Sequence, residues 1–126
     1  MRRVAELREA GARSAVAAAT LACAEAEQVA VARLAALEIS SLPGGTAGEV
    51  MAAAEARMRL ATASTQARRD VAEKEVQRRE AVSAWSAASR KTTVLTEAAA
   101  RQRAEHEAVL NRGVQRMLDD LAARRR

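Results

Sequence analysis

The chain has 126 residues, a formal net charge of +5, and 49% hydrophobic residues of which more than half are alanine; Phe and Tyr are absent and Trp85 is the only aromatic. Alanine is the best helix former but buries little area, so the composition favours long helices and excludes a thick globular core. One cysteine excludes an internal disulfide, and one histidine leaves no Cys/His metal constellation to assemble.

From Arg2 to Ser40 there is no proline, and Gly11 is the only glycine. This segment reads as one helix over 2–40, roughly 58 Å long at 1.5 Å per residue. Val4, Leu7, Gly11, Ala15, Ala18, Ala22, Val29, Ala32, Ala36 and Ile39 follow one another mostly at three- and four-residue steps, which predicts a single apolar stripe. Leu21, Leu34 and Leu37 flank it, and Cys23 lies beside it as a small core residue. The longest uncharged run, Ser14 to Ala24, is roughly half the ~20 residues a membrane span needs, so no span is expected. Arg2, Arg3 and the Leu21-Ala22-Cys23 sequence have the outline of a lipoprotein signal, but Glu6 and Glu9 interrupt its basic region.

The only proline and three of the five glycines fall within Ser41-Leu42-Pro43-Gly44-Gly45-Thr46-Ala47-Gly48-Glu49. Proline cannot continue a helix, and paired glycines readily take the positive φ that reverses a chain, so 41–46 is a turn. Thr46 and Glu49 form a capping-box pattern that starts the next helix at Ala47.

No proline interrupts the chain from there to the end, and the second helix, 47–125, is about twice the length of the first. The expected fold is all-α: an antiparallel two-helix coiled-coil hairpin with unequal arms, forming a single domain over 1–126. A tight reversal places residue i near residue 87 − i, so Leu7 lies near Glu80 and Met1 near Trp85, and residues 86–126 overhang. Val50, Ala54, Met58, Ala61, Val71, Val82 and Trp85 are the expected apolar positions of the paired part. Two weak points qualify this helix. Ser89, Thr92, Thr93 and Thr96 cluster hydroxyl and β-branched side chains at 90–96, and Gly113 gives a hinge at 111–113.

Around and beyond Gly113 comes the densest patch of large apolar residues. Leu110, Val114, Met117, Leu118 and Leu121 fall at i, i+4, i+7, i+8 and i+11, rimmed by Arg112, Arg116, Asp119, Asp120 and Arg124. Nothing in a simple hairpin covers them, which marks a partner-binding face of the helix-in-groove kind.

No chemistry is legible. Two thin helices offer no concave pocket, His106 between Glu105 and Glu107 is not an oriented acid–base pair, and Pro43-Gly44-Gly45 lacks the strand, lysine and spacing of a phosphate loop. No catalytic, cofactor or metal residues are assigned, and no small-molecule substrate is expected. The basic surplus sits at the C-terminal end, where Arg124, Arg125 and Arg126 meet, yet no stacking aromatics accompany it. An architectural helical protein, binding nucleic acid or an anionic membrane through this Arg-rich helix, is therefore the alternative reading. Nucleic-acid binding would weaken steeply with salt, whereas docking through an apolar face would not.

Trp85 in Ala84-Trp85-Ser86, together with Gln115-Arg116-Met117-Leu118-Asp119-Asp120-Leu121-Ala122-Ala123-Arg124, resembles the FliJ family, the coiled-coil stalk of the flagellar type III export apparatus. The resemblance covers roughly residues 76–126, and the first arm matches only as a helix. It implies a cytoplasmic, non-enzymatic stalk at the inner face of the membrane, whose joined termini enter the hexameric ring of the export ATPase. It also implies contacts with the export gate protein and with export chaperones. By the resemblance, Met117, Leu118, Asp119, Asp120 and Leu121 engage the ATPase, and Leu60 is the residue for the gate contact. The chain departs from the family in being short and in lacking aromatics in the gate-facing region.

Overall fold

A computed structural model describes residues 1–40 and 44–124. It contains two helices, α1 over Arg2–Ile39 and α2 over Ala47–Arg124, and no strand among the described residues. The chain is an all-α two-helix hairpin with arms of 38 and 78 residues. Ser41, Leu42 and Pro43 of the expected turn, and Arg125 and Arg126, lie outside the described residues. The chain divides into two compact units, one of Ala10–Ser86 and one combining Met1–Glu9 with Ala87–Arg126.

The start of α2 is built by the expected capping box. Glu49 Oε2 accepts from the Thr46 backbone N–H at 2.7 Å, and the Glu49 N–H donates to Thr46 Oγ1 at 3.4 Å. The bond from the Thr46 N–H, with a second from the Thr46 hydroxyl to Glu49 Oε2 at 3.0 Å, favours the ionised carboxylate and holds the Glu49 carboxyl below its ordinary range. The glycines serve this cap differently from the expectation. Gly45 does not have positive φ. A Cβ on Gly45 would instead overlap Glu49 Oε2, so the absent side chain makes room for the capping carboxylate.

The other end of the connection is closed across the helices. α1 has no basic residue in its own last turn. Arg57 of α2 supplies one, its Nη1 donating to the Ser40 carbonyl. A cation at this end offsets the negative pole of α1 and occupies a carbonyl with no helical partner.

In the Ala10–Ser86 unit the helices run antiparallel, and each gives the other a face with coiled-coil spacing. On α1 this face is Ala12, Val16, Ala19, Cys23, Ala26, Ala30, Leu34 and Leu37, at steps of three and four. On α2 it is Leu60, Ser64, Ala67, Val71, Lys74, Arg78, Ala81 and Trp85. Only small side chains are fully enclosed: Cys23, Ser64 and Ala67 are each 5% exposed. The larger side chains of the same face, Leu34, Leu37, Leu60 and Trp85 among them, stay partly exposed.

The expected stripe on α1 is displaced from this face. Val4, Leu7, Val29 and Ile39 of the stripe, and Leu21 flanking it, are all at least half exposed, whereas Cys23, Leu34 and Leu37, placed beside the stripe, lie within the paired face. On α2, Ala61, Val71 and Trp85 are half-buried as expected, but Val50, Ala54, Met58 and Val82 are exposed. The cause is the alanine itself. With alanine on every side of a helix, periodicity gives nearly equal apolar faces, and the polar contacts decide between them.

The register differs too. Cys23 meets Glu75 and Ser40 meets Arg57, about eleven residues along α2 from the expected pairing. A tight reversal would have set the helix ends level. Instead the first three turns of α2 run past the end of α1, which leaves Val50 and Met51 exposed.

In the other unit, Ala5 is buried, and Val4, Ala5, Ala88 and Leu95 line a shallow groove edged by Arg8 and Lys91. Met1 lines the same groove, so the paired part of α2 extends to about Leu95 and the unpaired stretch begins well beyond Trp85, where it was expected. α2 passes through both weak points without interruption. The hydroxyls of Thr92, Thr93 and Thr96 bond back to the carbonyls of Ala88, Ser89 and Thr92 at 3.2, 3.1 and 2.9 Å, which satisfies them within the helix. Gly113 costs ~1 kcal/mol relative to alanine, which neighbouring turns of good helix formers offset.

Candidate docking surface

Every described residue from Arg101 to Arg124 is exposed. Within this stretch Leu110, Val114, Met117, Leu118 and Leu121 are each more than half exposed, Met117 the most at 66%. Leu110 follows Ala99, the last half-buried residue of α2, by about three turns, so the stripe prolongs the face that α1 covers earlier. Among the predicted site residues the structure brings these five onto one helix side. Asp119 points elsewhere, its Oδ1 accepting from Gln115 Nε2 at 3.1 Å along the polar side, and Asp120 is exposed. Arg112 Nε donates to the Ala108 carbonyl at 3.2 Å, and Arg124 closes α2 as the basic residue of its last turn.

Leu60 is placed apart from this surface. It is half-buried on the face that pairs with α1, where its side chain serves helix packing. His106 is exposed on α2, and no group of three metal-ligating side chains occurs among the described residues.

One polar cluster in the Ala10–Ser86 unit had no counterpart in the sequence reading. The Cys23 thiol of α1 donates to Glu75 Oε2 of α2 at 3.4 Å. Arg78 clasps the same carboxylate with two bonds, Nε to Oε2 at 2.9 Å and Nη2 to Oε1 at 2.7 Å, and Arg79 Nε lies 3.4 Å from Oε1. The hydrogen bonds from Arg78, aided by those from Cys23 and by the charges of Arg78 and Arg79, hold Glu75 down at about 2 against the cost of its partial burial. Burial, then the bond to Glu75 and the charges of Glu27 and Glu75, push the Cys23 thiol up. The thiol is therefore a neutral donor that locks register rather than a nucleophile.

α1 is also long and apolar enough, by length and composition, to cross a membrane, although charged residues bound its longest uncharged run. Most of that stretch is exposed, because the pairing with α2 uses only one of its faces.

The fold and this surface define a class: a two-helix coiled-coil protein that presents an exposed amphipathic helical segment and no enclosed site among its described residues. No family model matches the chain, and no curated protein or solved structure is significantly similar to it.

Proposed function

We propose that the chain is a non-enzymatic stalk or adaptor of the flagellar type III export apparatus, docking through the exposed end of α2 into the ring of the export ATPase. The observation that carries the reading is the apolar stripe Leu110, Val114, Met117, Leu118 and Leu121, exposed on a helix that continues beyond its partner. The residues resembling the family's terminal motif coincide with that stripe. A helical face of this kind gains affinity by burying its leucines and methionine in a groove, at about 25 cal/mol per Å² of apolar area before association costs. Contacts with the export gate and with export chaperones belong to the same proposal, as does a cytoplasmic location at the membrane's inner face. Leu60, being half-buried, offers the gate only its margin.

The test is a pull-down of a flagellar export ATPase with the intact chain and with a chain ended after Arg112. Among the described residues the truncation removes only exposed ones, so helicity and melting of the paired part are expected to persist while ATPase capture is lost. Failure of the intact chain to bind the ATPase or to alter its assembly or turnover would defeat the proposal.

A second reading, association with a membrane, draws on the apolar exposed side of α1. Its expected outcome is flotation of the intact chain with vesicles in proportion to the chain's exposed apolar faces, reduced by Leu21→Glu. Absence of flotation with both neutral and anionic vesicles would eliminate it.

A further inference from the structure

We infer that the exposed end of α2 pairs antiparallel with the same segment of a second copy of this chain. The proposal rests on the symmetry of the stripe and stands independently of the ATPase reading. Leu110, Val114, Met117 and Leu121 are spaced four, three and four residues apart, a pattern that reads the same in both directions. Antiparallel helices sharing one coiled-coil face therefore match in four layers: Leu110 on Leu121, Val114 on Met117, and the two symmetry equivalents.

The next positions of the same face, one step beyond each end, are Glu107 and Arg124. The register that matches the leucines places Glu107 of one copy on Arg124 of the second, so each end of the apolar core closes with an opposite-charge pair. Neither residue has an ion pair among the described residues, and both are exposed. A parallel arrangement would set Glu107 on Glu107 and Arg124 on Arg124, which like-charge repulsion disfavours. Charge thus selects the antiparallel orientation.

The fit also continues an existing interface. The stripe prolongs the side of α2 whose earlier part is covered in the same unit by the Met1–Glu9 segment. In the matched register, Arg124 of the second copy lies level with Glu107, well short of Leu95. Self-pairing buries the surface that an ATPase or another partner would need. The dimer is then a stored form that a tighter-binding partner dissociates, and its short core makes it a weak one.

Sedimentation of the full chain between about 1 and about 500 µM is the direct test, covering the affinity range of a weak helix pair. The expected result is a monomer–dimer equilibrium in which Glu107→Arg or Arg124→Glu weakens dimerisation about tenfold or more, and the double exchange restores it. These positions are exposed, so unchanged helicity and melting of each variant are expected. Orientation follows from spin labels at Arg101→Cys in a Cys23→Ala chain: the antiparallel dimer places them roughly 45 Å apart, the parallel one about 20 Å or less. A chain that stays monomeric throughout, a dimer indifferent to both reversals, or labels at the short distance would each overturn the inference. None of these readouts involves the ATPase, so the two proposals fail separately.

Discussion

Trp85→Ala is expected to lower unfolding free energy by roughly 2–3 kcal/mol, toward the low end for large-to-small core substitutions because the indole is half-buried. The reasoning starts from what surrounds it. Half of the side chains on the paired faces of the Ala10–Ser86 unit are alanine, serine or cysteine, each of which contributes little buried area. Trp85 is the only aromatic in the chain and the bulkiest side chain on that face, so it carries a disproportionate share of apolar contact. Its removal leaves space that alanine neighbours cannot fill. The indole Nε1 is also buried and has no acceptor among the described residues, a cost the side chain bears in the folded state. Trp85→Phe removes that donor while keeping a ring, and is therefore expected to lose about 1 kcal/mol or less. Urea unfolding followed by helical circular dichroism measures both. Equal losses for Ala and Phe would show that the ring's contacts do not hold this part of the hairpin.

The same alanine content governs what the sequence reveals. Helix limits were legible because they depend on local chemistry: the Thr46–Glu49 box starts α2 at Ala47, and Ser40 closes α1 one residue beyond Ile39. The exposed stripe near Met117 was legible because large apolar residues there stand against charged neighbours. The pairing face of α1 was not, since Val4 and Leu7 made a plausible stripe with Ala15, Ala18 and Ala22 beside an equally spaced row of similar composition. The row that pairs is the one from which Cys23 can reach Glu75. Register was hidden for the same reason. It is set by Arg57 on the Ser40 carbonyl and by the Cys23–Glu75–Arg78 cluster, long-range polar contacts that no spacing rule announces.

Acid is expected to loosen the hairpin through Glu75, whose carboxyl is held down at about 2 from the ordinary 4.5 chiefly by the two bonds from Arg78. A carboxyl with a depressed folded pKa stabilises the folded state fully above its unfolded value. That contribution fades as pH falls from about 4.5 to about 2, because the unfolded chain takes up the proton first. Thermal melting temperature should therefore decline across this window at constant ionic strength. Glu49, lowered by its capping bonds, contributes to the same slope, so Glu75→Gln should shallow the decline rather than abolish it. At neutral pH Glu75→Gln also removes the charge that Arg78 and Arg79 share, and because the site is partly solvated the loss should be modest. The opposite end of the scale adds a second sign. Cys23 has a raised pKa, so the unfolded thiol ionises first as pH rises, and stability should fall above the ordinary thiol range. Cys23→Ala removes that alkaline decline while keeping the small side chain the face requires. An acid slope unchanged by Glu75→Gln would mean that the Arg78 clasp contributes nothing to the pairing of α1 with α2.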